Sequence, residues 1–198
     1  MLFIVTGPSG SGKSTIVHHV MNDLRNVQFS VSHTTRPKRN SEEDGRDYYF
    51  ISRKEFEGMV ARRRFVEWAI VHGECYGTSK REIEQKAEMG DLVLDIDVQG
   101  AAQIRKKYNK AVFVFVLPPR FKELRRRLEE RGEDSPAVIR NRLRDAKKEI
   151  REYVHFDYIV INDELDRAVL ELESIILSAR CRRQARRKDI RTIVRSFG

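Results

Sequence analysis

Gly7, Pro8, Ser9, Gly10, Ser11, Gly12, Lys13 and Ser14 run consecutively and satisfy the pattern G-x-x-x-x-G-K-[ST], with Thr15 following. Glycines at these positions let backbone N–H groups turn inward around phosphate oxygens without a Cβ in the way. A helix starting at Lys13 adds the positive end of its dipole. Lys13 can then reach terminal phosphates, and the Ser14 hydroxyl is a hard oxygen ligand for Mg²⁺. The bland reading is a glycine-rich turn that binds nothing. The context argues against it, because the apolar run Leu2–Thr6 precedes the loop and a helical stretch follows. Asp95 and Asp97 close another apolar run, and residues two apart on a strand point to one side. Both carboxylates could face the phosphates, or simply cap the next helix. Arg36 and Arg39, with Tyr48 nearby, offer two guanidinium forks and a phenol suited to a monophosphate. Surface arginines in a loop are the plainer alternative.

The elements around these groups alternate between buried strand and helix. Leu2–Thr6, Leu92–Ile96, Ala111–Leu117 and Tyr158–Ile161 are short continuous apolar runs, as strands covered on both faces should be. Helices are predicted over Lys13–Leu24, Val98–Lys107, Phe121–Arg131, Pro136–Tyr153 and Glu164–Lys188. The pattern predicts an α/β fold of the phosphate-loop NTPase type, with a parallel sheet at its core. Residues 32–90, with short strand-like pieces Tyr48–Ile51 and Phe65–Val71, and the charged residues 118–145 interrupt it. Long polar insertions at the carboxyl ends of parallel strands are where open sheets bind ligands.

At 198 residues the chain suits one domain with a sizeable core. No apolar run reaches the roughly 20 residues needed to cross a bilayer. The apolar N-terminus is too short for a signal peptide. These features predict a cytoplasmic protein with no membrane partner, existing as a monomer or small homo-oligomer. Cys75 and Cys181 match no metal spacing and read as reduced thiols. The net charge of +9 is uneven, since residues 180–198 carry eight basic side chains against one acid, Asp189. That tail could hold a polyanion, but it reads more simply as a solvated face, so no obligatory nucleic acid is expected.

Ser30-Val-Ser-His-Thr-Thr-Arg36, Gly45-Arg-Asp-Tyr-Tyr-Phe50, Phe65-Val-Glu-Trp-Ala69, Tyr76-Gly-Thr78 and Leu94-Asp-Ile-Asp-Val-Gln-Gly100 resemble the successive motifs of the guanylate kinase family, in order and at family spacing. The resemblance runs from the phosphate loop to Val160-Ile-Asn-Asp163. It implies a core (1–31, 91–117 and 146–198), a nucleoside-monophosphate-binding insertion (32–90) and a mobile lid (118–145). It further implies that Arg36, Arg39, Tyr48 and Tyr76 hold the GMP phosphate, and that Ser32, Glu67, Thr78 and Asp95 read the guanine. Asp97 would belong to the magnesium side with Ser14. Arg131 and Arg142 would be lid arginines acting with Lys13 and Arg39 on the transferring group, and Asn162 and Asp163 would contact the nucleoside of ATP. Ser41 and Cys75 depart from the usual family residues at positions that bind no ligand.

Residue chemistry fits the implied base. Guanine presents N1–H and N2–H₂ as neighbouring donors, which an ionised Glu67 can accept, and O6 as an acceptor for the Ser32 and Thr78 hydroxyls. Adenine would set a bare lone pair against the carboxylate, a mismatch of roughly 1–3 kcal/mol. The expected reaction is Mg²⁺-dependent transfer from ATP to GMP, and to dGMP, in purine nucleotide metabolism. Two rivals stay open at this point: a kinase of another phosphorylated acceptor, and a guanylate-kinase-like binding module without catalysis. The guanine-reading set speaks against the first and the intact phosphate loop against the second.

Overall fold

The computed structural model describes residues 1–130, 132 and 135–198. In chain order the elements are β1 (Leu2–Thr6), α1 (Lys13–Asp23), β2 (Val27–Phe29), β3 (Ser32–Thr34), β4 (Tyr48–Phe50), α2 (Arg53–Ala61), β5 (Phe65–Val71), β6 (Glu74–Ser79) and α3 (Lys80–Ala87). There follow β7 (Asp91–Asp95), α4 (Val98–Lys107), β8 (Val112–Leu117), α5 (Phe121–Glu130), α6 (Pro136–Glu149), a 3₁₀ helix (Ile150–His155), β9 (Tyr158–Ile161), α7 (Leu165–Cys181) and α8 (Arg187–Arg195).

Five strands form a parallel sheet in the order β2-β7-β1-β8-β9. Its central strands are apolar between their ends because helices cover both faces. Phe3, Val5, Val114 and Val116 pack against Ile16, Val20, Leu172 and Ile176 of α1 and α7. Ile4, Leu92, Leu94 and Phe113 pack against Ile83 of α3 and Ala101 and Ile104 of α4. A second sheet, β4-β3-β6-β5, is built from the insertion and is mixed in direction.

α4 fastens the two sheets together. Gln103 donates to the Trp68 carbonyl at 2.7 Å and accepts from the Trp68 N–H at 3.2 Å. Gln99 donates to the Ile70 carbonyl, and the Lys107 ammonium to the Val66 carbonyl. The edge strand β5 is therefore held along its length by side chains of a helix rooted in the core.

The long helix predicted over Glu164–Lys188 is instead two. The buried row of α7, Ala168, Val169, Leu172, Ile175, Ile176 and Ala179, ends with the core it packs on. Arg180 then turns to Asp91 at 2.6 Å and to the Arg25 carbonyl, and Arg182 leaves helical geometry. The predicted Pro136–Tyr153 helix likewise tightens into 3₁₀ geometry after Glu149. Among the described residues, no helix is long and apolar enough to cross a membrane.

Candidate active site

The phosphate loop joins β1 to α1, and it takes its shape from neighbours on later strands and helices. Gly12 stands at φ 89°, immediately before α1, where an L side chain is strained. A Cβ there would also lie 2.2 Å from the Asn162 amide nitrogen. That buried amide donates to the Ser11 carbonyl at 2.8 Å. Arg127 of α5 donates to the Ser11 carbonyl at 3.4 Å and to the Asn162 carbonyl at 2.9 Å, while Glu123 holds its Nε. Arg127 and Asn162 thus brace the loop from outside.

Inside the loop, Lys13 donates to the Gly7 and Pro8 carbonyls at 2.8 and 3.4 Å. The Ser14 hydroxyl donates to Asp95 at 2.6 Å. Asp97 is engaged differently: one oxygen accepts from the Gly100 N–H and caps α4, and the other accepts from Gln99. The structure brings Asp95, the carboxylate assigned by resemblance to the base, to the magnesium-side hydroxyl. Asp97 remains on the wall of the same cleft.

Across the cleft lies a buried polar cluster. Glu67 on β5 is 3% exposed, and the Thr78 hydroxyl of β6 donates to it at 2.5 Å. The Ser32 hydroxyl of β3 is 3.4 Å from that of Thr78. Thr78 is fully buried and spends its proton on Glu67, so it acts by holding the carboxylate. Burial pushes Glu67 up to about 7, with the Thr78 hydrogen bond opposing and the Asp97 charge adding. Gly100 makes room for it: a Cβ there would sit 2.5 Å from the second carboxylate oxygen.

Between cluster and loop, Arg36 and Arg39 converge through Glu42. The carboxylate accepts from the Arg36 guanidinium at 2.6 Å and from the Arg39 N–H at 2.9 Å. Burial raises the Glu42 carboxyl, but these bonds outweigh it and leave the group below its ordinary value. Arg36 lies over the Tyr48 ring at 5.4 Å, and Tyr76 meets Tyr48 edge-on at 6.0 Å. Burial, then the charge of Asp95, raises the Tyr48 phenol far above its ordinary value, keeping it a hydrogen-bond donor.

These groups share one cleft of about 510 Å³, lined by the loop, Ser32, Arg36, Arg39, Tyr48, Glu67, Tyr76, Asp95 and Asp97. Arg127, Arg142 and Glu149 close it from α5 and α6. Glu149 faces Lys13 and accepts the Ser9 N–H, and burial holds its carboxyl above the ordinary range. His72, on the β5–β6 turn, reaches Asp145 of α6 at 3.2 Å across the cleft mouth.

Two expected site residues are placed elsewhere. Asn162 is buried behind the loop rather than lining the cleft, and exposed Asp163 lies with Arg120, Lys122 and Arg125 in a separate groove along α5. Arg131 lies outside the described residues. Sequence reasoning missed Glu42, Gly100, Arg127 and Glu149. Gly100 stood inside the Val-Gln-Gly motif, but nothing local to the other three marks them.

The family model described as Guanylate kinase matches residues 1–179. A guanylate kinase of Geobacter metallireducens is 49% identical over 183 residues, covering 92% of this chain and 90% of that protein. One from Thermotoga maritima is 49% identical over 182 residues, covering 91% and 88%. The crystal structure of guanylate kinase from Anaplasma phagocytophilum superposes with a TM-score of 0.76 at 28% identity, covering 92% of this chain and 87% of that one. A loop that can cradle phosphates, a buried carboxylate across from it and this sequence similarity agree: the chain belongs to the guanylate kinase family.

Proposed function

We infer that this chain catalyses reversible, magnesium-dependent transfer of the γ-phosphoryl group of ATP to GMP, and to dGMP, yielding ADP and the nucleoside diphosphate. The observation that carries the reading is the single cleft in which the phosphate loop faces Glu67 across Arg36, Arg39 and Tyr48. It has a place for a triphosphate, a place for a monophosphate and an acceptor pair for guanine, in that order.

In this reading Lys13 leaves the Gly7 and Pro8 carbonyls for the phosphates of ATP. Arg36, Tyr48 and Tyr76 hold the GMP phosphate. Arg39, Arg131 and Arg142 lay positive charge along the line of transfer. A phosphate dianion is already nucleophilic, so no general base is needed; alignment and charge supply the catalysis. The Ser14 hydroxyl and the Asp95 carboxylate, 2.6 Å apart and both hard oxygen donors, fit a magnesium ion, with Asp97 nearby. Magnesium, when bound, neutralises charge on the β- and γ-phosphoryl oxygens. Residues 32–90 serve as the monophosphate-binding insertion and 118–145 as a lid that excludes water. We place the enzyme in the cytoplasm, as a monomer or small homo-oligomer, within purine nucleotide metabolism.

The test is ADP formation with GMP, AMP, UMP and CMP as acceptors. GMP should exceed the others by about 100-fold or more in kcat/KM. Comparable rates with all four would overturn the assignment.

A further inference from the structure

The basic tail ends in a helix that the catalytic reading does not use. α8 has no buried residue, contributes nothing to the cleft, and lies beyond residue 179, where the family match stops. At about 3.6 residues per turn, Ile190, Ile193, Val194 and Phe197 fall within roughly 100° of its circumference. Phe197 joins this row because Ser196 and Phe197 donate to the Ile193 and Val194 carbonyls and continue the turn. Arg187, Lys188, Arg191 and Arg195 occupy the neighbouring sector of similar width. The apolar row is open to solvent, with Val194 63% and Phe197 87% exposed.

We propose that α8 is an interfacial anchor that lays the enzyme reversibly on an anionic phospholipid surface. A helix lying flat can sink its apolar row to the acyl boundary while the adjacent basic row meets lipid phosphates, the long arginine stems reaching outward. Arg182, Arg183 and Arg186 precede the helix, and residues 180–198 carry seven of the chain's nine net positive charges, of which Arg180 alone is spent on Asp91. Other polyanions satisfy only half of the helix. Duplex nucleic acid would pair with the guanidinium groups but leave the Ile/Val/Phe row in water. A second copy of the chain packed antiparallel on the row would bring two basic sectors together. The expectation of no membrane partner, which rested on the lack of a spanning segment, does not extend to a helix lying on the surface.

The test is co-sedimentation of the full chain with vesicles of phosphatidylcholine alone and with roughly 30 mol % phosphatidylglycerol. Binding should require the anionic lipid. It should weaken at least tenfold in Ile193→Glu/Phe197→Glu, and similarly in Arg187→Gln/Arg191→Gln/Arg195→Gln. Both variants should keep wild-type kcat/KM for GMP without vesicles, which also reports that they fold. The proposal is overturned by any of four results. These are no binding to anionic vesicles, binding that survives Ile193→Glu/Phe197→Glu, tighter binding to a duplex oligonucleotide than to vesicles, or a dimer in solution that the apolar substitutions dissolve.

Discussion

Glu67 poses a problem of protonation. In the proposed reading guanine offers it two donors, which only the ionised carboxylate can accept together, yet burial pushes its pKa to about 7. Burial thus favours the protonated form, and on the proposed reading GMP must expel that proton to be read. GMP binding should therefore release protons from the protein around pH 6.5, seen by calorimetry in buffers of different ionisation enthalpy. Affinity should fall about tenfold per pH unit below 7 from this group. Glu67→Gln should remove that component and collapse the GMP-over-AMP ratio of kcat/KM by about two orders of magnitude. An unchanged ratio would place guanine recognition elsewhere. The same shift acts on stability. The folded state holds the proton between the ordinary 4.5 and about 7, so Glu67's contribution is fully present below 4.5 and lost as pH rises through 7.

At the scale of elements, the start of α4 serves both halves of the cleft. Asp97 caps the helix through the Gly100 N–H, and the missing Cβ of Gly100 admits the Glu67 carboxylate. Gly100→Ala should favour the helix by up to about 1 kcal/mol yet displace that carboxylate. We expect KM for GMP to rise about tenfold, roughly 1.4 kcal/mol, with KM for ATP unchanged in steady-state assays. Such coupling cannot be seen in a sequence, because it joins residues from different elements. The strands of the parallel sheet could be read because they are long apolar runs. Three-residue strands such as β2 and β3 carry no period to detect. Two helices of the insertion were legible but overlooked. Ser52-Arg-Lys-Glu55 and Ser79-Lys-Arg-Glu82 both follow the S-x-x-E pattern, and both serines cap helices here, the first in a full capping box. Glu82 then departs from that pattern, giving its side chain to the Val31 N–H, where β3 leaves the core.

For the whole molecule, Asp91 ties the start of β7, inside the parallel sheet, to the end of α7 through Arg180 at 2.6 Å, and the pair is only partly exposed. Asp91→Asn should cost about 1–2 kcal/mol, or a few degrees in Tm for a chain of this length. Activity per folded molecule should be unchanged, because Asp91 and Arg180 lie outside the cleft. Calorimetry beside the kinetic assay checks both parts. The grip of α4 on β5 has a consequence for the timing of a catalytic cycle. The sheet is held most closely along β5, while β4 is tied to the core by the longer 3.4 Å bond from Tyr49 to Glu82 of α3, so freedom to move grows from β5 toward β4. Glu67 sits on the clasped strand, whereas Tyr48 sits on β4, the opposite edge. In the proposed reading Glu67 should keep its place through the cycle while Tyr48 shifts more. A nucleotide with the wrong base should then be turned away at Glu67 before Arg36 and Arg39 engage its phosphate.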